Sequence, residues 1–427
     1  FQSGDELLRI HLFGAADRSC DHWHDDAGML NHHVAVTWKF EQSLRLINAA
    51  TASHYWDYTR EVAQGIEWYD SELFRDDWFG PASPSNKDHI IDTGRWAYTR
   101  ILGDAREYSS ITNPYGLLRS PWNTNPTPYL MRFNTTFGSV ADGWTAFPSC
   151  SDFASVIGDD LADLMPQYNG FLHGPVHIML GGHWGMGAEL EAVGASLDGG
   201  ASELLLVSKF LWRQGVARVP ELCSSDTPAE ECSVTCPADI LGEDTTVETL
   251  FEKYGVDKVS SHVATFNKLA KNAGLSDADV IRALCDFWYP GEMFTSAAPQ
   301  DPIFWPVHGM MERHLQLLRL LKYRGELDFD ETWGYSHSFA PSDTHVVCDW
   351  SQTEDNAGMP TCILGETCEG HRARDLIPFL GLFEDQESEY TNLEFYSVIS
   401  PLNKEMPYTY DSLDYWPGCV GSSLLAQ

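Results

Sequence analysis

Apolar residues recur at helical steps in several parts of the chain. Residues 1–13 set Leu7, Leu8, Ile10, His11 and Leu12 at positions that include i, i+4 neighbours, which predicts a short helix. From His32 to Ala50, Val36, Phe40, Leu44 and Ile47 follow one another at three- and four-residue steps and predict a longer one. The same spacing runs from Phe153 to Met165 through Val156, Ile157, Leu161 and Leu164. Pro175 is placed for the first turn of a further helix, continuing through Val176 to Leu180 and stopped by Gly181-Gly182. A strong helical pattern covers 303–323, after Asp301-Pro302. Residues 77–150, rich in Pro, Gly, Asn, Trp and Tyr, predict long ordered loops with short helices. The tail, 330–427, is rich in turn residues and has β-like pieces at Thr344 to Val347 and Leu393 to Ile399.

Residues 187–295 differ in character. Three amphipathic stretches, near 202–214, 246–271 and 276–288, flank a Cys-, Pro- and Ser-rich loop at 220–240, and the segment is expected to be a helical insertion subdomain.

The charge balance narrows the range of partners. Asp and Glu number 62 against 27 Lys and Arg, a formal charge of 27 − 62 = −35. So acidic a surface repels phosphate backbones and anionic lipids, so neither nucleic acid nor a membrane surface is an expected partner. No apolar run is long enough to span a bilayer; Glu203-Leu204-Leu205-Leu206-Val207 is among the longest. Ten dispersed cysteines, none in a CxxC pair, predict disulfides and an oxidising compartment. Asn134-Thr135-Thr136 is a glycosylation pattern that agrees with secretion. No signal peptide is visible at Phe1, so a secreted form is expected to be a mature or trimmed chain.

Sixteen histidines are many for 427 residues, and they group. His11, His22, His24, His32 and His33 form one set, His173 and His177 with His183 a second, and His308 with His314 a third. The i, i+4 spacing of His173 and His177 puts two imidazoles on one helical face, where they can converge on one metal. Imidazole-only ligation suits copper, zinc, nickel or iron. No CxxC supplies a structural zinc site, and Gly174 stands where a hydrolytic HExxH would carry Glu. The plain alternative is a set of ordinary core and surface histidines.

Four segments, taken in order, weigh against that alternative. They are His33-Val-Ala-Val-Thr-Trp-Lys-Phe-Glu41, Ser53-His-Tyr-Trp-Asp-Tyr-Thr59, His173-Gly-Pro-Val-His177-Ile-Met-Leu-Gly-Gly, and Asp301-Pro-Ile-Phe-Trp-Pro-Val-His308-Gly-Met-Met-Glu-Arg313. Together they resemble the type-3 copper family of tyrosinases, catechol oxidases and haemocyanins. The fourth, similar to the family's DPxFxxHHxxxDR signature, is the most specific. Asp375-Leu-Ile-Pro-Phe379 and Tyr408-Thr-Tyr410 resemble the motifs that close the family's core domain. The resemblance covers roughly 1–186 and 296–416, so the expected division is a dicopper core domain over 1–186 and 296–427, interrupted by 187–295.

The resemblance implies a mainly α fold: a four-helix bundle binding a dicopper centre, with long disulfide-stapled loops, minor β structure and the helical insertion. The implied cofactors are two copper ions. His173, His177 and His308 would hold one; His11, His24 and His33 would hold the other. His22 is the alternative to His24, because Cys20-Asp-His22 resembles the Cys-x-His thioether pair of many members. Cys20 is then either a thioether or half of a disulfide. Phe304 is expected against the imidazoles. The implied partners are dioxygen and a small phenolic substrate, and the implied activity is copper-dependent oxidation of o-diphenols to o-quinones. The alternative is a dioxygen carrier or a non-catalytic copper protein.

Several departures bear on the substrate. Gly174 replaces the Asn usual after the first ligand, and Met165 to Leu172 contains no Glu to hold a water, which favours diphenol over monophenol oxidation. Val34 stands for the usual Arg, Glu312 for Asp, and the signature's histidine pair is reduced to His308, followed by Gly309. Many members carry a C-terminal lid domain, whereas this sequence stops just after Tyr408-Thr-Tyr410, so an open site is expected unless 187–295 covers it. That segment is expected to gate the site or to mediate assembly into an oligomer.

Overall fold

The computed structural model describes residues 2–16, 23–24, 27–102, 127–136, 146–185, 236, 238–242, 245–254, 271–272, 274–285, 289–334, 346–349, 361–364, 370, 372–383 and 387–427. It is mainly helical, with little strand. The first helix, α1 (Gly4–Ala16), buries Leu7, Leu8, His11 and Leu12. The second, α2 (Gly28–Ile47), buries its N-terminal half almost completely and ends where Asn48 turns to extended backbone. A short α3 (Thr59–Gln64) closes on Gly65 in the left-handed conformation.

The pattern over 153–165 forms two helices rather than one. α4 (Cys150–Ser155) starts with a capping box in which Ser149 and Asp152 exchange hydrogen bonds. α5 (Leu161–Gln167) starts at Asp160, whose side chain accepts from Asp163. Gly158, at φ +112°, takes a backbone that L side chains rarely adopt, and it breaks the run. A π-helical turn, Tyr168–Leu172, then leads into α6 (Gly174–Gly181) with Pro175 in its first turn.

The end of α6 is a close approach. A Cβ on Gly181 would lie 2.5 Å from the backbone nitrogen of Phe294. One on Gly182 (φ +62°) would lie 1.9 Å from the carbonyl oxygen of Phe133. Glycine at 181 lets the 3₁₀ turn Glu292–Phe294 sit directly on α6, and glycine at 182 admits the Phe133 carbonyl.

Two amphipathic stretches of 187–295 appear as α7 (Val247–Tyr254) and α8 (Asp277–Leu284). The expected helix near 202–214, residues 255–270 and most of the 220–240 loop lie outside the described residues. The two-stranded ladder of β1 (His183–Trp184) and β2 (Tyr289–Pro290) pairs the chain just before this segment with residues near the segment's end, with His183 opposite Pro290.

The longest helix is α9 (Phe304–Arg324), capped by Gly325 at φ +73°. It packs on α2 and buries Phe304 through Leu318. Its start is held by a buried ion pair. Arg132 Nε donates to Asp301 Oδ2 at 2.6 Å and its NH2 to Oδ1, while NH1 reaches the carbonyls of Phe79 and Gly80. Both side chains are fully buried.

In the tail, β3 (Val346–Asp349) pairs with β4 (Thr361–Leu364), in keeping with part of the expected β content. The piece expected as strand at Leu393 to Ile399 is instead α10 (Asn392–Val398). Its signal is the capping box of Thr391 and Glu394, a threonine with Glu three residues on. Disulfides Cys150–Cys419 and Cys236–Cys285 staple distant segments, and no described cysteine is free. No helix among the described residues is long and apolar enough to cross a membrane.

Candidate metal centre

Two clusters of three histidines lie in the core between α1, α2, α6 and α9: His11, His24 and His33, and His173, His177 and His308. In each, one nitrogen per ring lies within 4.8 Å of the others. Helices supply most of the placement. His11 is on α1, His33 on α2, His177 on α6 and His308 on α9. His173 is the residue before α6, and its carbonyl accepts from His177 N–H at 3.2 Å. His24 comes from the connection between α1 and α2. The clusters meet where the His33 and His308 rings stack, 4.6 Å apart and 15° from parallel.

Backbone carbonyls fix the ring orientations. His33 Nδ1 donates to Met29 O at 2.7 Å and His308 Nδ1 to Phe304 O at 2.7 Å, each one helical turn back. His11 Nδ1 donates to Ser296 O at 2.8 Å and His177 Nδ1 to Met293 O at 3.0 Å. A proton held on Nδ1 leaves the Nε2 lone pair for a metal, the usual arrangement for ligating imidazoles. Glu292, whose carboxylate accepts from Met131 N–H at 2.7 Å, anchors the turn that presents Met293.

The donor set fits a metal ion. His173 Nε2 lies 2.9 Å from His177 Nε2 and 3.1 Å from His308 Nε2. Three nitrogens about 2.0 Å from one ion in tetrahedral array would be about 3.3 Å apart, close to this spacing. Three imidazoles this close also disfavour a charged ring. Burial first, then the nearness of His173, His33 and His177, holds His308 well below the usual imidazole range. The His308 ring therefore stays neutral, as ligation requires. Among the described residues, neither cluster includes a carboxylate or thiolate.

Phe304 packs where expected. Its ring centroid is 3.8 Å from His308, 5.6 Å from His11 and 5.9 Å from His177. His11 and His177 are wholly buried, whereas His24, His33, His173 and His308 keep 6–7% of their surface.

The remaining histidines take other roles. His32 belongs to neither cluster; it donates to Gly28 O and packs on Trp23. His314, six residues beyond His308 on the same helix, is fully buried and bonded to the Tyr168 hydroxyl at 2.7 Å. His183 is buried beside β2. His22 and Cys20 lie outside the described residues.

Gly174 has a steric cause: a Cβ there would lie 1.9 Å from the carbonyl oxygen of Asn169, which the π-turn presses against α6. Gly309 is crowded in the same way by Tyr55 Cβ, at 2.8 Å. Glu312 is buried and accepts from the hydroxyls of Tyr408 and Tyr410, tying the closing motif to α9. The carbonyls of Met293 and Ser296 carry no sequence mark. Those of Met29 and Phe304 could have been found by counting four residues back from a helical histidine.

Residues 2–195 match the family model described as the common central domain of tyrosinase. The matched span contains five of the six clustered histidines; His308 falls beyond it. No curated protein matches the chain.

Proposed function

We propose that this chain, which belongs to the type-3 copper family through its tyrosinase central domain, is an oxidase of o-diphenols, converting two catechols and one dioxygen into two o-quinones and two waters. The observation that carries the reading is the pair of adjoining three-imidazole clusters, which among the described residues include no carboxylate or thiolate. His11, His24 and His33 would hold one copper, and His173, His177 and His308 the other. When bound, the two coppers supply the site for dioxygen and the redox couple that takes two electrons from the phenol.

The protein's part is geometric. The carbonyls of Met29, Ser296, Met293 and Phe304 keep the Nε2 atoms aimed inward. Phe304 fills the inner side of the centre and excludes water there. A catechol enters past His24, His33, His173 and His308. Monophenol hydroxylation would need help in deprotonating the substrate beside His173, and Gly174 offers no side chain for it. The crowding by Asn169 supports this as a property of the local fold rather than a single-residue accident.

Secretion is part of the proposal, supported by the two disulfides. Asn134, half-buried and accepting from Ser83 Oγ, is the proposed glycan site. The 187–295 segment is proposed as a subdomain that gates the centre or mediates assembly; the β1–β2 ladder supports its insertion at one point of the core.

The test is quinone formation by copper-loaded protein from 4-methylcatechol and from tyramine. Oxidation of the catechol alone is expected. Two coppers per chain with no quinone from either phenol would replace the enzyme reading with that of a carrier, and comparable rates on both would refute the argument from Gly174.

A further inference from the structure

We propose that Asn169 is a positioning residue that couples the two histidine clusters, setting the place of His24 from the turn that also sets His173. The inference rests on the reading of both clusters as copper sites.

His11 and His33 are fixed by helices, but His24 is carried by the connection between α1 and α2. The Asn169 amide Nδ2 donates to the carbonyl oxygen of His24 at 2.8 Å. A hydrogen bond to a ligand's own peptide restrains its main chain, and through it the direction of the Cα–Cβ bond and the ring.

Asn169 is itself held firmly. It lies in the π-turn Tyr168–Leu172, whose first carbonyl accepts from His173 N–H at 2.8 Å. Its own carbonyl occupies the space that a Cβ on Gly174 would need. Tyr168 is anchored on one side by His314, and the Leu172 carbonyl accepts from Tyr58 at 2.8 Å. The backbone that delivers His173 to one cluster thus delivers the Asn169 amide to the other. The extra residue of a π-turn turns this side chain towards the α1–α2 connection, and Gly174 makes room for the turn. The absence of a side chain at 174 and the tether at 169 are two results of one local geometry.

Asn169→Asp is the informative change, because it is nearly isosteric and replaces the donor by an acceptor facing the His24 carbonyl. The full chain, stripped of metal, would be titrated anaerobically with Cu(I) against a chromogenic chelator, with Asn169→Ala, His24→Ala and wild type run alongside. Wild type should bind two coppers. Both Asn169 variants should keep one at wild-type affinity and bind the other roughly 10–100-fold more weakly, the effect typical of losing an outer-shell contact. The melting temperature of the metal-free protein should be unchanged. If His24→Ala loses one copper while the Asn169 variants keep both at full affinity, the coupling is refuted and the ligand assignment stands. If His24→Ala still binds two at full affinity, His24 is not a ligand and the coupling falls with that assignment. Equal weakening of both sites with a lower melting temperature would show a packing role only and would also overturn it.

Discussion

Asp301→Asn offers the sharpest test of how the helix carrying His308 is held. Asp301 and Arg132 have no exposed surface, and the carboxylate takes two guanidinium hydrogens. Its Oδ1 also accepts from Ile303 N–H at 3.0 Å, and its carbonyl from Phe304 N–H at 2.9 Å, where α9 begins. Asparagine keeps one acceptor and the volume but turns an amide N–H₂ towards the guanidinium. One charge-assisted bond becomes a donor facing a donor, and the buried cation loses its counter-charge. Breaking a buried pair from one side typically costs about 3–5 kcal/mol. The carbonyls of Phe79 and Gly80 still solvate Arg132, which points to the lower end, about 3 kcal/mol. With a urea dependence of about 3 kcal/mol per molar, the unfolding midpoint of metal-free protein should fall by about 1 M. Replacing both partners, Arg132→Met with Asp301→Leu, should recover most of the loss, because no charge is then left alone. Tryptophan fluorescence in urea would follow all three variants. A midpoint lowered by less than about 0.3 M, or a double variant weaker than the single one, would refute the reasoning.

Two further predictions concern the outer core. Burial, aided by the charge of Arg313, lowers His314 to about 3, below its unfolded value of 6.5, so the ring is neutral in the fold while the unfolded chain takes up a proton as pH falls below 6.5. Stability present above pH 6.5 is thus lost on acidification, at up to about 1.4 kcal/mol per pH unit. His314→Gln should flatten this loss by about 1 kcal/mol between pH 6 and 5, read as urea midpoints of metal-free protein, and parallel curves for the two would count against it; His183, also lowered to about 3 by burial, keeps part of the slope in both. Removing the Cys150–Cys419 bridge, which spans 269 residues, as Cys150→Ser with Cys419→Ser should cost several kcal/mol, with an upper bound of about 5.6 kcal/mol from chain entropy, and should lower the melting temperature without changing copper content.

The sequence was legible where one physical rule decides a segment. Pro175 and the Gly181-Gly182 stop bounded α6, and the run after Asp301-Pro302 became α9 within a residue of its expected ends. The clustered histidines were legible as a group because their motifs appear in order. The failures have local causes. The 153–165 run kept a helical period across Gly158, whose positive φ the period does not register. Residues 393–399 hold the strand-favouring Phe, Tyr, Val and Ile, yet the Thr391–Glu394 cap starts a helix that puts Phe395 and Tyr396 into the core. The supports of His11 and His177 are carbonyls 285 and 116 residues away in sequence, and any residue type could have provided them. The role of Asn169 depends on a π-turn, for which periodicity gives no sign.

The proposed function has each of the two three-histidine clusters hold a copper. Its most direct test is copper per chain, measured by atomic absorption after loading and desalting, in wild type, His11→Ala and His177→Ala, each variant removing the wholly buried ring of one cluster. Two coppers in wild type and one in each variant are predicted. Two coppers in either variant, or none in wild type, would contradict the account.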